Sequence, residues 1–124
     1  MPLFLAVALG GAIGAVSRYG VDRAIEARSS SSFPWATLTV NVSGCLLVGF
    51  LVAAVVDRHE APAWLRAALV VGFCGGYTTF STFAQETLDL VEGKAMALAV
   101  ANVAASVALG VAAVLAGTRL GRHI

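Results

Sequence analysis

Residues Ala67 to Gln85, AALVVGFCGGYTTFSTFAQ, run 19 positions without a charged side chain. A hydrocarbon layer about 30 Å thick is crossed by about 20 helical residues, so the stretch has the length and polarity of a membrane span. Its middle is a poor helix. Gly75 and Gly76 are followed by Tyr77, Thr78 and Thr79, and glycine and β-branched residues both cost helicity. Carbonyls freed at membrane depth need new partners, and broken helices are tolerated there where they line a cavity or bind an ion. A second reading of the same residues is close packing, because Gly72/Gly76 and Gly10/Gly14 form small-xxx-small pairs that let helix backbones approach.

Working outward, three more charge-free stretches appear: Met1 to Ser17 (17 residues), Ser29 to Val56 (28) and Ala95 to Thr118 (24). The expected fold is all-α, a single membrane domain over 1–124. Its spans are placed at about 2–25, 33–56, 62–92 with a break near 75–79, and 95–118. Composition agrees: 59% of the 124 residues are hydrophobic and 12% charged, against about 25% charged in soluble domains. A compact domain this small exposes too much surface to hide that apolar content from water. The net charge of +1 offers no footprint for nucleic acid. The first stretch lacks the basic start of a signal peptide, and three further spans follow it. In SSSSFPWATL (29–38), Ser31 or Ser32 is the expected N-cap, with Pro34 in the first turn and Trp35 at the headgroups. EAPAWLRA (60–67) repeats the arrangement with Pro62 and Trp64. Short loops predict that successive helices are antiparallel neighbours.

Lys and Arg near span ends set orientation. Arg58, Arg66, Arg119 and Arg122 fall on one side, and Arg18, Arg23, Arg28 and Lys94 on the other, four against four. A chain without bias can insert both ways, and two opposite copies can pair as inverted repeats do. The alternative is one orientation fixed by Arg28 or by translocation kinetics.

The candidate chemistry is narrow. Cys45 and Cys74 lie in apolar runs without metal-site spacing and read as small buried hydrophobes. His59 and His123 read as solvated loop and tail residues. Asp22, Glu26, Asp57, Glu60, Glu86, Asp89 and Glu92 cluster at expected ends and loops, leaving no carboxylate relay inside a span. That weighs against a small multidrug-type exporter, which the chain matches in size. No catalytic triad or phosphate loop is present, so an enzyme is not expected.

Phe80 and Phe83 share a helix face, with Ser81 and Thr82 between them and Glu86 continuing the stripe. Such rings usually pack, but their positive edges can also greet a small anion. Asn41 lies near Thr37 and Ser43 in the second span, and Asn102 and Ser106 stand four apart in the fourth. Their amides and hydroxyls can be anion donors or interhelical glue.

GGAIGAVSRY (10–19), FPWATLTVNVSG (33–44) and GFCGGYTTFSTF (72–83) resemble the signature segments of the Fluc/CrcB family of fluoride ion channels. The resemblance covers most of the chain, and GGxTTFSTF is its most specific part. It implies a dual-topology antiparallel homodimer with two fluoride pores, a structural sodium ion at its centre, and passive fluoride export across the bacterial inner membrane. Phe80 and Phe83 resemble the phenylalanine box, Asn41 the pore asparagine, and Ser106 a hydroxyl of a polar track, with Ser81 and Thr82 beside the path. Arg18 matches an arginine near an aqueous vestibule. Gly75 and Thr78 take the places whose backbone carbonyls bind sodium. Asn102 departs from the tyrosine common in the family, which alters the polar track, and Ala36 stands where glycine is common.

Overall fold

The computed structural model describes residues 1–58 and 61–124; His59 and Glu60, assigned above to a polar loop, lie outside them. Four helices are long and apolar enough to cross a membrane: Leu3–Glu26, Trp35–Val56, Ala63–Glu92 and Met96–His123. We call the first two α1 and α2. The third span comprises α3, residues 63–77, and α4, Phe80–Glu92; the fourth is α5, Met96–His123. Within α3 the stretch Ala67–Cys74 is wound as a π-helix, as is Val52–Val56 at the end of α2.

Between α3 and α4 the backbone is extended at two residues, Thr78 (φ −81°, ψ 158°) and Thr79 (φ −148°, ψ 119°). Thr79 then caps α4, its Oγ1 accepting from the Thr82 N–H at 3.2 Å.

Packing follows alternate spans rather than successive ones. The broadest contacts join α1 to α3 and α2 to α5, while α1 and α2 touch far less. The short-loop expectation therefore misjudged the main neighbours, and glycine explains why. A Cβ on Gly72 would stand 2.8 Å from the Val7 carbonyl, and one on Gly76 would stand 2.5 Å from the Gly11 carbonyl. Gly10 and Gly14 likewise face the backbone at Ala68, Phe73 and Tyr77. Gly49, Gly117 and Gly121 do the same between α2 and α5. Contacting positions rise together in both pairs, so each pair is parallel. Against α2, the third span runs the other way: Thr37 meets Glu86, Asn41 meets Thr79, and Ser43 meets Tyr77. The close-packing reading of Gly72 and Gly76 thus describes the face toward α1. Gly75, whose added Cβ would meet nothing within 4 Å, points elsewhere.

The expected serine cap is absent. Ser31 Oγ accepts from the Phe33 N–H at 3.1 Å and Ser29 Oγ from the Ser31 N–H at 3.4 Å, so these hydroxyls serve their own loop. Helix α2 starts at Trp35 with Pro34 just before it, and Pro62 precedes Ala63 in the same way. The last connection closes at Lys94, which takes a left-handed φ of 59°, while the Ala95 N–H reaches back to the Leu90 carbonyl at 2.8 Å.

Candidate functional site

The interruption at Thr78 and Thr79 releases backbone groups, and neighbouring side chains take up several of them. Asn41 does this from α2: its Nδ2 donates to the Thr79 carbonyl at 2.8 Å and its Oδ1 accepts the Thr79 N–H at 2.7 Å. Arg18 acts from α1, its Nε donating to the Gly76 carbonyl at 3.2 Å. Thr78 Oγ1 returns to the Cys74 carbonyl at 2.9 Å, one turn back. Asn41 and Arg18 sit where the third span has lost ladder bonds, as an apolar surrounding requires.

The carbonyls of Gly75 and Thr78 are among those left out. In an unbroken α-helix Gly75 O would receive the Thr79 N–H and Thr78 O the Thr82 N–H. The first donor goes to Asn41 and the second to Thr79 Oγ1. Freed neutral oxygens of this kind are donors that a hard cation takes at half-helix ends. Among the described residues, no three His, Cys, Asp or Glu side chains gather to hold a metal.

Asn41, Gly75, Thr78, Thr79 and Phe80 line one groove of about 390 Å³, with Cys45 and Cys74 also in its wall. Both cysteines are free; Cys74 is buried and Cys45 half-buried. Phe80 is 79% exposed, and its ring lies 5.6 Å from that of Phe83 at 49°, a tilted pair. Asn41 spends one amide hydrogen on Thr79 and keeps the other. Thr79 Oγ1 donates to Thr82 Oγ1 at 3.1 Å, which leaves the Thr82 hydrogen uncommitted. Ser81 Oγ lies 3.4 Å from Thr79 Oγ1 at an exposed position.

Ser106 is not drawn into this cluster. Its Oγ is buried without a hydrogen-bond partner, one turn along α5 from Asn102. Asn102 instead donates from Nδ2 to Thr87 Oγ1 at 2.9 Å, and Thr87 donates to the Phe83 carbonyl at 2.7 Å.

The sequence reading passed over three participants. Thr79 was visible as a Thr with a second Thr at the third helical position, a capping pattern after a weak helical stretch. Glu86, placed at a span end, instead accepts from the buried Thr37 hydroxyl at 2.9 Å. Thr87 gave no signal, because its partner Asn102 lies 15 residues away across a turn.

Four apolar spans joined by polar clamps around an interrupted third span define a small multi-pass membrane protein. The chain belongs to the CrcB family, whose model, described as CrcB-like protein, Camphor Resistance, matches residues 5–118. A relative from Nitrobacter winogradskyi, named fluoride-specific ion channel, is 47% identical over 120 residues, 97% of this chain and 95% of its own. A protein of the same name from Solibacter usitatus is 44% identical, covering 97% and 98% of the two chains. A third, from Acidobacterium capsulatum, is 46% identical over 98% and 97%.

Proposed function

We propose that this chain forms a passive, fluoride-selective channel that exports fluoride across the bacterial inner membrane and is not an enzyme. The observation that carries the reading is near full-length kinship, at 44 to 47% identity, with proteins named for fluoride conduction. The groove chemistry is consistent with it. Fluoride holds water tightly, so a pore must replace hydration with close donors yet bind weakly enough to release the ion. The second amide hydrogen of Asn41 and the ring edge of Phe80 in the groove, with Ser81, Thr82 and Phe83 on the helical turn that follows and Ser106 apart from it on α5, supply partial positive charge without a full countercharge. Arg18, with one guanidinium nitrogen on Gly76, keeps further N–H groups to concentrate anions at a mouth.

The working unit in this reading is an antiparallel, dual-topology homodimer embedded in lipid. We read Thr78 and Thr79 as the helix break expected near 75–79, with Gly75 and Thr78 carbonyls from each copy holding one sodium ion between them. A bound sodium ion would supply positive charge to neutral oxygens and so tie the copies together. A small multidrug-type exporter is the less favoured alternative, since none of the named relatives carries that description and the groove offers no carboxylate.

Purified protein in liposomes separates the readings. Fluoride efflux followed by electrode, persisting without a proton gradient and collapsing when no counter-ion can move, is the expected result. Efflux that requires a proton gradient, or none at all, overturns the channel.

A further inference from the structure

Asn102 is 1% exposed, one of the two largest fully buried side chains among the described residues. A buried amide in an apolar bundle needs partners, and this one reaches across the α4–α5 turn. Its Nδ2 donates to Thr87 Oγ1 at 2.9 Å, and Thr87 Oγ1 donates to the Phe83 carbonyl at 2.7 Å. A hydroxyl has one hydrogen, and here it goes to the carbonyl, so the amide must be the donor to the hydroxyl oxygen. The two bonds form a relay of fixed direction from α5 to the turn that carries the Phe83 ring.

The relay has a specific mechanical setting. Helix α4 makes few contacts with α2 and α5 and lacks the glycine seams that fix α1 to α3 and α2 to α5. Its placement rests on polar clamps: Asn41 on Thr79 at its start, Glu86 on Thr37 against α2, and Asn102 through Thr87 against α5. Of these clamps the last ends on the backbone of Phe83, whose ring lies 5.6 Å from that of the groove-lining Phe80.

We propose that Asn102, acting through Thr87, is a positioning residue that sets the height and rotation of Phe83 relative to the ion path. This rests on the channel reading above. The polar residue at 102 then contributes by holding a ring carrier in place rather than by touching the ion.

The test compares Thr87→Val, Thr87→Ser, Asn102→Leu and the double variant Thr87→Val, Asn102→Leu in liposomes, with fluoride efflux normalised to folded protein and thermal stability measured in parallel. Thr87→Val leaves the buried Asn102 amide unpaired and should lower stability, whereas in Asn102→Leu the half-buried Thr87 hydroxyl keeps the Phe83 carbonyl, and the double variant removes both partners and should recover stability. Efflux should behave differently. It should fall by about tenfold or more in Thr87→Val and in Asn102→Leu, return in Thr87→Ser, and stay low in the double variant despite restored stability. Efflux that tracks stability through all four variants, the double included, overturns the positioning role. Wild-type liposomes that pass no fluoride would instead sink the channel reading, so the two failures are distinguishable.

Discussion

Asn41 and the backbone of Thr79 exchange two hydrogen bonds, 2.8 Å and 2.7 Å long, in the way that facing residues of two strands do. One side chain from α2 thereby satisfies both polar groups of the residue at which the third span resumes its helix. Asn41→Leu removes both partners together. Each unpaired group costs about 1 to 3 kcal/mol, so the thermal midpoint should fall and fluoride efflux should vanish. A variant that melts like the parent would show that Thr79 finds other partners.

The phenylalanine pair tests the path itself. Phe80→Ile and Phe83→Ile keep apolar bulk but lose the positive ring edge. If the rings contact fluoride, efflux should be suppressed in each. If they only pack, the swaps should cost less than about 1.5 kcal/mol and efflux should survive. Phe73, which stacks on Tyr77 with centroids 5.8 Å apart, is the control, and Phe73→Leu should leave efflux nearly intact. Wild-type efflux from a folded Phe80→Ile, Phe83→Ile double variant would falsify the aromatic path.

Neighbouring glycines in the third span should respond in opposite ways. Gly76→Ala places a methyl 2.5 Å from the Gly11 carbonyl, and overpacking of this kind costs about 1 to 3 kcal/mol of chain stability. Gly75→Ala meets nothing within its own chain and should leave helical content unchanged. It should nevertheless weaken the dimer if Gly75 and Thr78 carbonyls hold sodium. Thr78→Ser should be tolerated, and one residue inserted between Gly75 and Thr78 should not be. Cross-linking yield in sodium against a large organic cation reads this out, with equal yields counting against the ion.

Topology offers a fourth test. With positive charges tied at four against four, a reporter after Ile124 is expected on both sides of the membrane, and a reporter on one side only rejects dual insertion. Lys94 is the convenient place to break the tie. Its φ of 59° favours glycine, so Lys94→Gly should stabilise the turn by up to about 1 kcal/mol while removing one charge. The reporter should then shift toward the orientation that puts Arg58, Arg66, Arg119 and Arg122 in the cytoplasm.

The four spans were legible because charge-free length is a one-dimensional property, and lipid leaves few ways to satisfy it. The candidate residues around positions 75 to 83 were legible as a weak helix bearing an aromatic pair. Which helices touch was not. Gly10 facing Ala68 and Gly49 facing Val114 are pairings between distant segments, and glycine spacing says that a backbone approaches without saying whose. Thr87 and Glu86 were hidden for a related reason, since their partners Asn102 and Thr37 arrive from other helices. The serine cap failed because Pro34, not a serine, stands directly before α2 and the hydroxyls found nearer N–H groups.

The interleaving of the two parallel pairs also dictates an order of assembly. A ribosome delivers α1 before the third span exists, and α2 before α5, so each glycine seam waits for more than one later segment to be synthesised. The first two spans must therefore enter the bilayer as a loosely joined hairpin, with their glycine-rich faces covered by lipid or by the insertion machinery. Only when the last helix emerges can both seams close. Mutations that fill a seam should thus be felt first as slowed maturation and greater exposure to quality-control proteases, before any effect on the finished protein.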